Sequence, residues 1–575
     1  MNFCNRILLF ILILLPALSF SQQSFPLYLR IIDSDVGVLT ENKIFSDTIL
    51  RRQHVSRQIQ AYQSQGYIFA KTILLKDSVN KLFVDIQIGQ QFRWGVLKFS
   101  TKTLQVLESF ESNVLQLKGQ LIDPGKLQNL MTEILNYTEN NGYPLASLNF
   151  DSIEINNKSV NANINLTLGE LVVIDSVTAT NANIINPIYL ASYIGLKNGT
   201  VYRQNKIDQI YDRVNQLDFL TLKYLPIIIR NGSMNVLKIA VENKNSNQLE
   251  GLIGLVPSNN GKANFIGQFH LNLKNIFKRG EKIDFDFKGQ PNNTRDLNFK
   301  FNYDYLFGSF ISSEFIFSIR RQDTSFVTLN QTVAFPYYFA KKNYIKFFYK
   351  ASQSNLISNN TNQNLQILPV FSDVASNHYG LALRLINHDN QFYSTKGLQL
   401  DASIAFGNRT IYKNTQFDPR LYDSIKLVAV QMQAQVLASG YFQLAPRNVI
   451  YTMIHAQSIV GNNLFQNELI RYGGLKSLRG FNEESLNASN LGILTLEYRF
   501  LLDDKTFIQA FFDQAVAKSQ ASANTKTIKP YGFGLGLNLL TKAGVFSICY
   551  AVGKSSSVPI QFNNAKIHFG IVNNF

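Results

Sequence analysis

Two hydrophobic rhythms divide this chain. Up to about residue 244, apolar positions recur at helical spacing and give way to short alternating runs; from Asn245 onward the alternation takes over. Stretches such as "NYIKFFYKAS", "HYGLALRLIN", "LGILTLEYRF", "FIQAFFDQAV" and "YGFGLGLNLL" are strand-length and divided by polar or glycine-rich turns. At roughly 20 residues per strand and connection, the segment 245–575 predicts an all-β domain of about 16 strands.

The faces of these strands are chemically distinct. In "LTLEYRF", Leu494, Leu496, Tyr498 and Phe500 share one side, and Thr495, Glu497 and Arg499 the other. Leu535, Leu537 and Leu539 oppose Gly534, Gly536 and Asn538, and the terminal strand sets Ile567, Phe569, Ile571 and Phe575 against Lys566, His568, Gly570 and Asn574. Alternation alone does not assign the sides. Charges collected on one face, an exported chain and an aromatic end predict a transmembrane barrel with its apolar face in lipid and a polar lumen. Open sheet edges are not tolerated in hydrocarbon, so such a sheet is expected to close.

The first half repeats. Gly66-Tyr67 and Gly142-Tyr143 stand 76 residues apart, and Asp218-Phe219 follows after a further 76. Each marker ends a helix-compatible segment and precedes alternating runs such as "KLFVDIQIG", "VNANINLTLG" and "NVLKIAVEN". Before the second marker, Leu127, Leu130, Ile134 and Leu135 form a helical stripe, with Asp123 as cap and Pro124 in the first turn. Gly142 suits the left-handed residue that stops a helix. The prediction is three small α+β modules over 22–90, 91–170 and 171–244, followed by the barrel at 245–575.

Composition narrows the setting. "MNFCNRILLFILILLPALSFSQQ" places one early cation before an apolar run and small residues after it, so 1–21 reads as a signal peptide. Its removal leaves Cys549 as the one cysteine, hence no intrachain disulfide. No later segment has 18 consecutive apolar residues, as a spanning helix requires. The net charge of +16 is no pointer to nucleic acid once the chain is exported; anionic lipid headgroups are one suitable counterpart. An enzyme is not expected. The six histidines are scattered without metal spacing, Cys549 has no neighbouring base, and "GFGLGLN" is followed by no helix, so no metal or cofactor is predicted.

Four stretches carry a resemblance: "SLRGF" (477–481), "LEYRF" (496–500), "FFDQA" (511–515) and "GFGLGLNLLTKAGVFSICYAVG" (532–553), joined by "HDNQFYSTKG" (388–397) and "LKNIFKRGEKI" (273–283). With them, nearly the whole mature chain resembles the outer-membrane assembly and translocation superfamily, the BamA/TamA-type proteins together with the two-partner-secretion transporters. Its members have periplasmic POTRA modules followed by a 16-stranded surface-antigen barrel, and three modules plus barrel is the layout of the translocation-and-assembly-module protein. The chain departs from the pattern at Ala515, usually glycine, at Leu478, usually valine or isoleucine, and at Asn573, commonly apolar. Its first module starts so soon after the signal that a short opening strand is expected.

The resemblance implies that the loop carrying "GGLKSLRGF" folds back into the barrel, so that Arg479, with Gly480 and Phe481, meets Glu497 and Asp513. A guanidinium fits a carboxylate with two parallel bonds. It further implies an assembly, insertion or translocation factor in the bacterial outer membrane, with its modules in the periplasm and no use of nucleotide. Exposed module edges would receive unfolded outer-membrane protein clients. A lateral seam is expected between the first strand, with Gly251 and Gly254, and the last, with Gly570 and Phe575, because strand glycines weaken pairing. Periplasmic or lipoprotein subunits and outer-membrane lipid are the further expected partners. A two-partner-type secretion pore and, behind it, a passive porin or adhesin stay open as alternatives.

Overall fold

The computed structural model describes residues 24–33, 37–78, 81–100, 104–181, 183–257, 263–290, 294–340, 342–357, 368–389, 394–415, 417–503, 506–520, 525–541, 544–556 and 559–572. The expected signal peptide, Asn573 and Phe575 lie outside these residues.

The first helical rhythm becomes α1 (Thr48–Ser64), opened by Asp47, whose side chain accepts from the Ile49 amide at 3.1 Å. Its Val55 packs with Leu27, Leu29, Leu82, Val84 and Ile86 of a four-stranded sheet. That sheet runs in the order Gly37–Phe45, Phe25–Asp33, Lys81–Gln87, Lys71–Ser78. The opening strand is therefore not short. It has nine residues and turns back into a second strand of equal length, because "FPLYLRIID" supplies the apolar alternation that pairs with 81–87.

Next come a strand at Arg93–Phe99, α2 (Leu104–Leu115), α3 (Pro124–Asn140) and strands Ser147–Asn156 and Ser159–Thr167. Asp123 caps α3, accepting from Gly125 at 2.9 Å and Lys126 at 3.3 Å. The stripe behaves as its spacing predicts: Leu130 and Ile134 are buried in the core, and Leu127 and Leu135 pack against it. A second helix pair, α4 (Pro187–Ile194) and α5 (Gln204–Asn215), accompanies a sheet ordered Leu220–Asn231, Met234–Asn243, Ser176–Ala179.

The repeated markers have one structural job in common. Gly66 and Gly142 adopt φ of +93° and +102°, just past the ends of α1 and α3. The Gly66 carbonyl accepts from the Phe92 amide and the Gly142 carbonyl from the Val172 amide, both at 2.8 Å. At the degenerate third marker the Phe219 carbonyl accepts from Lys244 at 2.9 Å. In each case the chain leaving one helix is tied to the start of the next segment.

The chain forms two compact units. One holds the residues up to Ser176 with Asn198–Gln209 and Arg230–Asn235; the other holds Val177–Lys197, Ile210–Ile229 and Val236 onward. The second unit thus contains α4 as well as the large sheet.

That sheet has sixteen long strands: β1 (Gln248–Pro257), β2 (Ala263–Lys274), β3 (Lys282–Gly289), β4 (Arg295–Tyr303), β5 (Ser313–Gln322), β6 (Phe326–Ala340), β7 (Asn343–Leu356), β8 (Val374–His388), β9 (Gly397–Ile411), β10 (Val428–Ala445), β11 (Asn448–Val460), β12 (Asn490–Asp503), β13 (Thr506–Ser519), β14 (Tyr531–Thr541), β15 (Gly544–Lys554) and β16 (Lys566–Val572). Each pairs antiparallel with its chain neighbour, and a three-residue strand, Lys526–Ile528, joins beside β13. In β12, Leu494, Leu496 and Tyr498 are 47, 49 and 44% exposed, whereas Thr495 and Glu497 are 2 and 5% exposed. The apolar set faces outward and the ionic set inward. Phe335, Phe347, Phe406, Phe512, Tyr550 and Phe569 continue the outward apolar surface round the sheet. Among the described residues, β1 and β16 stand at the two ends of the strand order with no ladder between them.

Candidate functional site

The connection from β11 to β12, residues 461–489, lies against the inward faces of strands from β5 to β16, so the sheet curves round it. Its base is a small hairpin, Ile470–Tyr472 paired with Leu486–Ala488. The tip between them bends sharply at Gly473, Gly474 and Gly480, with φ of +113°, +96° and +90°, a region that side-chain-bearing residues disfavour. The Gly473 amide donates to the Ser477 hydroxyl at 2.8 Å, and Gly474 to the Leu478 carbonyl at 2.9 Å, which fixes the bend.

This bend delivers Arg479 to two carboxylates. Its Nε donates to Asp513 Oδ2 at 2.7 Å and its Nη2 to Oδ1 at 2.6 Å, the parallel fork that suits a planar guanidinium. Nη1 donates to Glu497 Oε1 at 2.7 Å, and the Arg479 amide adds a bond of 3.1 Å to Asp513. The Thr495 hydroxyl donates to Asp513 Oδ1 at 2.9 Å, and Arg499 bridges to the free oxygen of Glu497 at 2.6 Å. Two cations thus balance two anions. Arg479 lies over the Phe511 ring at 3.6 Å and Arg499 over that of Tyr451 at 4.0 Å, so both guanidiniums also meet aromatic faces. Asp513 is fully buried, and removing one member of such a group leaves an uncompensated charge.

Glycines shape the facing wall. A β-carbon on Gly553 would lie 2.5 Å from the Gly480 carbonyl, and one on Gly534 would lie 2.9 Å from the Phe511 ring. Phe481 and Leu478 are buried with Tyr472, Leu491, Ile493, Ala515 and Ala517 in an apolar cluster above the ion pairs.

The loop has further attachments. Arg409 of β9, almost fully buried, donates from Nε to Glu468 Oε1 at 2.6 Å and from Nη1 to the Asn462 carbonyl at 3.0 Å. Asn467 donates to Ser354 of β7 at 2.9 Å and Arg471 to Gln322 of β5 at 2.6 Å; Glu484 pairs with Arg320. The Gly480 amide donates to His568 Nε2 of β16 at 3.2 Å.

The structure therefore brings Arg479, Gly480, Phe481, Glu497 and Asp513 into one place. Gly251 and Gly254 lie in β1 opposite Phe269 and Ile266, and Gly570 lies in β16 opposite Ser547, with Leu475 of the loop 3.2 Å from where its β-carbon would stand. Gly66, Tyr67, Gly142 and Tyr143 belong to the modules. Sequence reasoning put Thr495 on the face of Glu497 but missed its bond to Asp513, the Arg409–Glu468 pair and the bond to His568. Arg409 was traceable as a lone cation on the inward register of β9; its partner, in an irregular loop, had no periodic signal.

No family model matches the sequence, and no curated protein does either. Among solved structures, the chain is similar to BamA from Haemophilus ducreyi lacking POTRA domains 1–3, with a TM-score of 0.51 and 13% identity over 83% of this chain and 98% of that one. CdiB from Escherichia coli gives 0.49 at 13% identity, over 90% of this chain and 96% of its own. The first of these likenesses shows that the chain shares the fold of that structure.

Proposed function

We propose that this chain is an outer-membrane protein assembly or translocation factor that works without nucleotide, with its modules in the periplasm. The observation that carries the reading is a contrast within one barrel. The interior is occupied by a loop held at several walls, while β1 and β16 have no ladder between them among the described residues. An incoming strand entering at that seam completes its backbone hydrogen bonds on an open edge and buries its apolar face in lipid, which is the driving term where no nucleotide is used. Exposed strands of the modules, such as 71–78 with Ile73, Leu74 and Leu75 outward, supply edges for receiving an unfolded client. Periplasmic or lipoprotein subunits fit the same edges.

Two locks test this reading. In a Cys549→Ser background, cysteine pairs scanned along Leu249–Gly251 and Ile567–Gly570 should tie the seam and abolish client insertion, with recovery on reduction. A second pair, holding the 473–485 tip to β14 or β15, should leave insertion intact. Insertion that survives a formed seam crosslink sinks lateral entry. Loss of export with the tip lock alone favours the secretion pore.

A further inference from the structure

The turn between β2 and β3, residues 275–281, presents four consecutive exposed side chains: Ile276, Phe277, Lys278 and Arg279. Most of its backbone amides are engaged in holding this arrangement. Buried Glu281 accepts from the amides of Phe277 and of Arg279, the latter at 3.0 Å. Asn275 Oδ1 accepts from Gly280 at 3.0 Å, and the Asn275 amide donates to the Glu281 carbonyl at 2.8 Å. Helix α4 braces the turn from behind. The Asn186 amide, at its cap, donates to the Lys278 carbonyl at 2.6 Å, and Asn275 Nδ2 donates to the Ile184 carbonyl at 2.9 Å. Tyr189 packs where a β-carbon on Gly280 would stand, its Cζ 2.0 Å away. A turn this constrained holds its side chains in a fixed place.

Those side chains border an open, shallow cavity of about 450 Å³, with Phe301 and Tyr303 of β4 on its other side. Arg279 reaches the Tyr303 hydroxyl at 3.4 Å. Among the described residues, neither Lys278 nor Arg279 has a carboxylate within salt-bridge distance. Glu281 also borders the cavity, but its two oxygens are occupied by the turn amides. The site thus combines an aromatic and aliphatic wall, continuous with the outward face of β4, with two cations at its rim, at the end of the barrel from which α4 approaches.

We propose that this cavity binds an anionic phospholipid, its phosphate ester between Lys278 and Arg279 and its first acyl carbons against Ile276, Phe277 and Phe301. The chemistry is that of a basic cluster at a membrane surface, where each cation attracts anionic lipid. Aromatic side chains suit the same level, having one apolar and one wet end. The net charge of +16 adds a favourable background field. The inference rests on the membrane-barrel reading above.

The test is native mass spectrometry of the full chain in detergent, supplied with phosphatidylglycerol, phosphatidylcholine or inorganic phosphate. Retention of phosphatidylglycerol should exceed that of phosphatidylcholine by about tenfold or more, given two cations. Lys278→Gln/Arg279→Gln should bring the two lipids to parity while the gel mobility of the folded barrel is unchanged. Phe277→Ser, with both cations kept, should weaken retention of either lipid. Equal retention by the unaltered chain, or an undiminished preference in the double glutamine variant, overturns the site. Displacement of phosphatidylglycerol by millimolar phosphate overturns the lipid as its occupant. A chain that folds but never enters vesicles sinks the membrane reading itself, and this inference with it.

Discussion

The main-chain oxygen of Arg479 lies 1.9 Å from where a β-carbon on Gly532 would stand. The loop and the wall of β14 are therefore fitted at the level of single carbon atoms, and Gly532 is a glycine for lack of room rather than for its backbone angle. Gly532→Ala must push the tip inward or bend β14. The expected result is a fall in the temperature at which the folded barrel loses its compact gel mobility. It should match Arg479→Ala in direction, and the double variant should fall by less than the two losses together, since both act on one contact. Full additivity would mean that Gly532 and the tip are independent.

Arg479→Ala leaves Asp513 and Glu497 buried without their shared cation, although Arg499 still serves Glu497. Breaking a buried pair on one side costs about 3–5 kcal/mol. In a unit of this size that corresponds to a drop of about 4–6 °C in the same gel-shift transition. Arg479→Lys should recover part of the loss, because one ammonium cannot reproduce the fork to Asp513 and the bond to Glu497 together. Unchanged heat resistance in the alanine variant would remove the loop-tether role proposed for Arg479.

Much of this site was legible because strand alternation has a period of two. Once Leu494, Leu496 and Tyr498 shared a face, Glu497 had to lie on the other, and the same count put Gln509, Phe511 and Asp513 together. Glycines spaced along 473–480 announced a bend. What alternation does not carry is the path of an irregular loop. Nothing periodic in "GNNLFQNELIRY" indicates that Glu468 reaches Arg409, some 60 residues earlier in the chain. The first module shows the other failure. Its second strand, "GVLTENKIF", is polar and largely exposed, so it lacked the apolar signal by which strands are recognised.

The helix-end glycines of the modules make a separate prediction. Gly142 has φ of +102°, and a β-carbon there would lie 2.5 Å from Leu171 Cδ1 and 2.7 Å from Val201 Cγ1. Gly142→Ala should therefore strain the bend that aligns its carbonyl with the Val172 amide. Hydrogen exchange on the full chain should show Val172 exchanging about tenfold faster, equivalent to roughly 1–2 kcal/mol of left-handed strain. The Phe92 amide, held by Gly66, should be unaffected. Equal acceleration at both amides would mean that the modules do not behave as separate tied units.

Arg409 offers the last test, since it holds the loop by a different limb from Arg479. Its guanidinium fastens Glu468 and the carbonyls of Asn462 and Asn463, all on the rising limb, whereas Arg479 fastens the tip. If the two anchors act separately, Arg409→Ala should free 461–465, since Gln466, Asn467 and Arg471 keep their own bonds to Val370, Ser354 and Gln322, and should leave the tip in place. A protease of broad specificity, applied to the folded barrel, should then cut within 461–465 while 476–481 stays protected. Arg479→Ala should give the reverse pattern, because Glu468, Asn467 and Arg471 keep their hold on β9, β7 and β5. Arg409→Lys should protect partly, keeping charge opposite Glu468 but losing the fork. Cleavage at both places in either single variant would show the loop to be one cooperative plug, released as a whole when any anchor fails.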